Sequence, residues 1–165
     1  MRLGVVSDTH MYNYAQQLPK ALVKGLQGVE LIIHAGDWVG VNIATLFEQI
    51  APVEGVAGNN DGEEIIQRFG RKKLLTLSGF KIGLVHGDGY KKTTEMRAFD
   101  AFHKDKPDMI LFGHSHTPFA EYHQGVFMFN PGSPTDKRKE PQYSYGIVDL
   151  DKTISARHFY YSDKQ

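Results

Sequence analysis

The chain has 165 residues, Lys+Arg 19 against Asp+Glu 19, and no cysteine. That is the length of one domain on the usual scale of about 100–200 residues, and the lack of cysteine excludes disulfides, thiolate nucleophiles and cysteine metal sites. A formal net charge of zero supplies no global basic field to draw in long nucleic acid or an acidic membrane.

Met1 runs straight into Arg2-Leu3-Gly4-Val5-Val6, which reads as a strand and leaves no room for a basic n-region, an apolar h-region and a cleavage site. The expectation is a cytoplasmic protein. The longest apolar runs are strand-length, so no membrane span is expected. Residues 3–7 read as a strand and residues 16–26 as a helix, with Leu18, Leu22 and Leu26 at helical spacing. Residues 29–35 repeat the strand signal, 43–50 the helical one, and 52–57 form a third strand before the loop Gly58-Asn59-Asn60-Asp61-Gly62. Residues 74–77 and 81–85 flank Ser78-Gly79 as a hairpin; residues 93–103 have helical patterning, and residues 109–112 form a further strand. The remaining segments, 119–122, 126–129, 143–148 and 154–160, read as antiparallel strands. Strands alternating with helices and then clustering predict a layered α/β domain, a sheet sandwich flanked by helices, with residues 1–165 forming one unit. Residues 134–141 are the one stretch polar enough to be a mobile loop.

The chemistry lies where these strands end. Asp8-Thr9-His10 places a carboxylate and an imidazole two positions apart, a spacing that turns both to one side of an extended chain. Gly36-Asp37, Gly58-Asn59, His86-Gly87 and Gly113-His114-Ser115-His116 each set a metal-binding side chain beside a glycine, which lets the backbone turn sharply and aim that side chain into a shared cleft. Asp8, His10, Asp37, Asn59, His86, His114 and His116 exceed what one tetrahedral ion needs and suit two ions sharing a carboxylate. Carboxylate, amide and imidazole without thiolate point to Mn²⁺, Fe²⁺, Co²⁺ or Zn²⁺ rather than Ca²⁺.

The ordered set Asp8-x-His10, Gly36-Asp37, Gly58-Asn59-x-Asp61, His86 beside Gly87, and Gly113-His114-x-His116 resembles that of calcineurin-like metallophosphoesterases, in particular the small bacterial YfcE-type phosphodiesterases. The resemblance covers nearly the whole chain. It implies a single-domain, four-layer α/β/β/α sandwich. It also implies one metal on Asp8, His10, Asp37 and His116 and a second on Asp37, Asn59, His86 and His114, with Asp37 bridging. Two divalent ions follow, manganese first and iron, cobalt, nickel or zinc as alternatives, with a bridging hydroxide that attacks phosphorus. The implied substrate is a small phosphodiester. A homo-oligomer is compatible with the exposed strand edges of a sandwich. A long nucleic acid would call for a basic groove with interleaved aromatics, which the balanced composition does not support.

One position departs from the wider superfamily, which carries histidine where this chain has Asn60. Asn60 can contact a leaving group but cannot protonate it, so esters with poor leaving groups should react slowly. Asp61 is read as orienting a ligand histidine. His34, inside Leu31-Ile32-Ile33-His34-Ala35, is a hydrogen-bonded core histidine, and Trp38 packs. His103, His123 and His158 are assigned to the surface, Lys137-Arg138-Lys139 to a solvated face, and Ser115, Thr9 and Asn130-Pro131-Gly132-Ser133 to turns and caps. The rival reading is a non-catalytic protein-binding scaffold of the same fold, like the retromer subunit. As understood for that family, the scaffold alters the Gly-Asp and Gly-Asn loops, whereas Asp37 and Asn59 keep the enzyme pattern.

Overall fold

The computed structural model describes residues 1–165. In chain order the elements are β1 (Arg2–Val6), α1 (Lys20–Gly25), β2 (Leu31–His34), α2 (Asn42–Glu48), β3 (Val53–Gly55), α3 (Glu63–Phe69), β4 (Lys72–Leu77), β5 (Phe80–Val85), α4 (Thr94–Ala101), β6 (Met109–Leu111), β7 (Phe119–His123), β8 (Val126–Asn130), β9 (Tyr143–Leu150) and β10 (Ile154–Tyr161). They form two five-stranded sheets, ordered β10-β9-β1-β2-β3 and β4-β5-β6-β8-β7.

Strand side chains alternate between faces, and here both faces of the central strands are buried, which explains their unbroken apolar runs. Leu3 and Val5 of β1 point between the sheets with Ile33, Leu84, Leu111 and Val148. Val6 and Ile32 point the other way, onto Leu22 of α1, Phe47 of α2 and Ile65 of α3. In the second sheet Met109 and Leu111 enter the layer between the sheets, while Ile110 packs with Ala98 and Phe102 at α4. Three apolar layers therefore separate four structural ones, giving the α/β/β/α sandwich. Each fully buried aliphatic side chain in those layers contributes about 1.5–3 kcal/mol.

Three sequence expectations change. The first helix begins at Lys20, with Pro19 at its N-cap, because the residue before a proline is driven out of the helical region and residues 16–18 cannot join. Helix α3 falls where the sequence pattern assigns no element, with Glu63 and Glu64 in its first turn and Arg68 in its last complementing its dipole and Gly70 at φ 74° ending it. The late strands are not all antiparallel: β8 pairs parallel to β6, with Met109 opposite Phe127 and Leu111 opposite Phe129. No helix is long and apolar enough to cross a membrane.

Topology then aligns the strand ends. β1, β2 and β3 pair in parallel, with Val6 opposite His34 and His34 opposite Gly55, and β5 pairs in parallel with β6. Parallel strands share a C-terminal edge, where open α/β sheets gather their ligands.

Candidate metal centre

Asp8 follows β1, Asp37 follows β2, Asn59 follows β3, His86 follows β5 and His114 follows β6, so both sheets deliver residues to one edge. The chain does not reach the cluster by continuing the pleat. Asp8 (φ 56°), His10 (φ 48°), Asp37 (φ 61°), His114 (φ 72°) and His116 (φ 62°) all occupy the left-handed region, as does the β-branched Val39 (φ 81°). Such conformations cost roughly 1–2 kcal/mol per residue and gather where the surrounding structure over-determines them, typically at functional sites. Asp8 and His10 thus converge through paired left-handed kinks rather than through strand alternation. Glycine supplies the clearance: a Cβ on Gly36 (φ 107°) would stand 2.6 Å from His86 Nδ1 and 2.8 Å from the Gly58 nitrogen.

Five of the seven sequence-predicted ligands meet. Asp8 Oδ1 lies 3.6 Å from His86 Nε2, 3.6 Å from His116 Nε2 and 3.9 Å from His10 Nε2. Asp37 Oδ2 lies 3.3 Å from both His10 Nε2 and His86 Nε2. Donors sharing an ion at about 2.1 Å stand roughly 3.0–3.4 Å apart in octahedral or tetrahedral arrangements, so these spacings are close to those of a ligand shell and too long for good hydrogen bonds. Asp8 Oδ1, His10 Nε2 and His86 Nε2 are buried without any hydrogen-bond partner. Orphaned polar atoms of that kind cost about 1–3 kcal/mol each; three of them converging is the signature of cation ligands, and the residues fit the group. Two overlapping triads emerge, Asp8-His10-His116 and Asp8-Asp37-His86. The two remaining residues sit at the margin: the His114 ring stands 5.2 Å from that of His86 at 83°, and Asn59 is exposed, as is the leaving-group candidate Asn60 beside it.

The sequence profile of the calcineurin-like phosphoesterase superfamily domain matches residues 1–153. This chain belongs to that superfamily. A protein named probable metallophosphoesterase from Methanothermobacter thermautotrophicus is 38% identical over 140 residues, covering 84% of this chain and 80% of the relative. A protein named phosphodiesterase from Methanocaldococcus jannaschii is 27% identical over 145 residues, 80% of this chain and 83% of that one. Vps29 from Chaetomium thermophilum superposes with a TM-score of 0.78 over 98% of each chain at 17% identity, which shows a shared fold. Family membership makes this chain a metal-dependent phosphoesterase and implies divalent ions.

Electrostatically, the cluster of the phosphoesterase compensates itself. Burial works against the charge of Asp8, yet His10, His86 and His116 hold its pKa below the usual range. Burial likewise opposes the imidazolium of His10 and of His86, but Asp37 and Asp8 overcome it and raise both to about 9. A divalent ion entering there displaces protons, so binding is pH-linked. Burial and the neighbouring His86 lower the pKa of His114.

Several residues around the ligands were misassigned or missed. Asp61 orients no histidine: its Oδ2 accepts the backbone N–H of Asp37 and of Gly58, both at 2.8 Å, and its Oδ1 that of Val39 at 2.8 Å. Two histidines of the cluster are held by backbone carbonyls instead. His86 Nδ1 bonds Ala35 O at 2.8 Å, and His116 Nδ1 bonds Asp136 O, which turns each Nε2 to the cluster and fixes the tautomer. The first part of the polar stretch 134–141, residues 134–136, is therefore tied down rather than free. Ser133 Oγ donates to Asp8 O at 2.8 Å, Thr135 Oγ1 donates to Thr9 O at 2.6 Å, and Tyr161 Oη donates to Pro134 O. His158 also leaves the surface class, half-buried with Nε2 2.7 Å from Asn130 O.

His34 and Trp38 pack as expected. His34 is fully buried, accepts Gly36 N–H at Nδ1 (3.1 Å) and meets Thr9 Oγ1 at Nε2 (3.1 Å), and Trp38 stacks on it at 3.8 Å. A concavity of about 450 Å³ between α1 and α2, lined by residues such as Gln17, Val23 and Leu46, shares none of its lining with the cluster.

Proposed function

We propose that this phosphoesterase hydrolyses small phosphodiesters with two divalent ions, held by Asp8, His10, Asp37, Asn59, His86, His114 and His116, manganese being the first metal to test. The observation that carries the reading is the convergence of three buried, unpartnered donors, Asp8 Oδ1, His10 Nε2 and His86 Nε2, with Asp37 Oδ2 equidistant from two of them. That equidistance supports Asp37 as the bridging carboxylate. Bound divalent ions supply Lewis acidity, acidifying water for attack on phosphorus and offsetting charge on the phosphoryl oxygens.

The chain's own residues do the rest. Backbone carbonyls of Ala35 and Asp136 keep the Nε2 atoms of His86 and His116 facing inward. Asn60 holds Asp37 with its backbone N–H on Oδ1 and its Nδ2 on Oδ2, both at 2.8 Å, leaving its second amide hydrogen for a departing ester oxygen. With no proton to give at that position, diesters with stable leaving groups are favoured, and the relative named phosphodiesterase agrees in class. The scaffold reading draws on the shared Vps29 fold, but a packing role gives no reason to bury three unsatisfied donors.

The test is hydrolysis of a panel of mono- and diesters by chelated protein resupplied with one divalent ion at a time. Turnover restored by metal, highest on diesters and with two ions bound per chain, is the expected result. Full turnover after exhaustive chelation, or no turnover with any ion, would falsify it.

A further inference from the structure

We infer that the turn following His10 is a stacking platform for a planar ring in the substrate's ester group, an inference that rests on the phosphodiesterase reading. Among the imidazoles of the two triads His10 is the one that reaches solvent, with 19% of its side chain exposed against 1% for His86 and for His116, and His114 beside His86 is likewise only partly buried. The cleft therefore opens on the His10 side. From His10 the chain enters a turn fastened at its start to the loop bearing Asp37 and at its end to the first residue of α2. Met11 N–H donates to Trp38 O (3.1 Å), Gly40 N–H to Met11 O (2.7 Å), Ala15 N–H to Tyr12 O (3.0 Å) and Asn42 Nδ2 to Ala15 O (2.8 Å).

On this pinned turn Tyr12 and Tyr14 are 59% and 81% exposed, with rings stacked at 5.7 Å and 11°. Two Cα steps place the Tyr12 backbone within about 7.6 Å of that of His10. Single exposed apolar residues need no explanation; a stacked pair of exposed rings on a hydrogen-bonded turn that starts at a cluster imidazole offers a face to another π-system. A single exposed aromatic also follows a second cluster histidine. Tyr90 is fully exposed four residues after His86, on a loop shaped by Arg97, whose Nε donates to Gly87 O (2.9 Å) and Nη1 to Lys91 O (3.0 Å) and Lys92 O (2.8 Å).

The ligand chemistry is a flat ring carried on a phosphate ester, shared by a nucleobase and by an aryl group. Base stacking on an aromatic side chain is worth roughly tenfold or more in affinity. The experiment is calorimetric binding of three monoester products, 5′-AMP, phenyl phosphate and methyl phosphate, to metal-loaded wild type, to Tyr12→Ala/Tyr14→Ala and to Tyr12→Phe/Tyr14→Phe. Both tyrosines are exposed, so the variants should fold. The expected result is that the alanine pair weakens a ring-bearing ligand about tenfold while methyl phosphate is unchanged and the phenylalanine pair keeps the affinity. Loss confined to AMP assigns a nucleobase, and loss that includes phenyl phosphate assigns aryl esters in general; either supports the platform. Equal weakening of all three, or no weakening, overturns the platform but leaves phosphoester hydrolysis standing. Failure of every ligand to bind wild type overturns both.

Discussion

Asp61 grips Asp37 by its main chain: Oδ2 accepts the Asp37 N–H at 2.8 Å and, from the next loop, the Gly58 N–H at the same distance. With Oδ1 on Val39 N–H, one buried carboxylate joins the loops after β2 and β3 and holds Asp37 and Val39 in their left-handed conformations. Asp61→Asn keeps the shape but turns a donor toward amide hydrogens that need an acceptor. The expected outcome is about 2–3 kcal/mol lost in denaturant unfolding and a metal affinity down roughly 10–100-fold, read by metal titration. Unchanged affinity would show that the two loops hold themselves.

His114 and His116 are neighbours that leave the chain in different directions. His116 Nε2 faces Asp8 in the triad with His10, whereas the His114 ring lies against that of His86. His114→Ala and His116→Ala should therefore each reduce occupancy of a different ion in anomalous difference maps at the metal edge. Depletion of the same ion in both would contradict two separate sites.

Burial lowers the pKa of His34 to about 3, below its ordinary value of about 6.5. The native state thus refuses a proton that the unfolded chain accepts. Above about 6.5 neither state is protonated and this group adds no slope; from there down toward 3, stability should fall by about 1.4 kcal/mol per pH unit from His34 alone. His34→Gln should fold less stably near neutrality yet lose that part of the acid dependence. Equal slopes for both proteins between pH 6 and 4 would refute the assignment.

Asn60 binds both carboxylate oxygens of Asp37 and offers no titrating proton. General acid assistance is worth about 10²–10⁴-fold, so the native enzyme should favour activated aryl diesters over alkyl monoesters. Asn60→His should raise the ratio of kcat/KM for an alkyl monoester to that for an aryl diester by at least about tenfold, measured at matched metal occupancy. A ratio that does not move means that the leaving group gets its proton elsewhere.

Which parts of this were legible follows from the range over which each contact acts. The donor set stood out in the sequence because its members lie in short loops after apolar strands, Asp37, Asn59, His86 and His114 directly beside a glycine, and those are local signals. Helix α3 was equally local and could have been found from Glu63, Glu64 and Gly70. The start of α1 at Lys20 was written in Pro19.

Residue type and order determined by themselves the α/β layering, the metal-binding chemistry and the core role of His34, since apolar periodicity and donor chemistry are properties of short segments. The tertiary structure alone decided how the donors converge. Asp8 Oδ2 accepts the N–H of His114 across 106 positions and Ser133 reaches the Asp8 carbonyl across 125. The left-handed turns at Asp8, His10 and Asp37 persist because such distant hydrogen bonds hold them. Asp and His are enriched in the left-handed region, but only a few per cent of non-glycine residues enter it, so that weak local preference does not announce the turns.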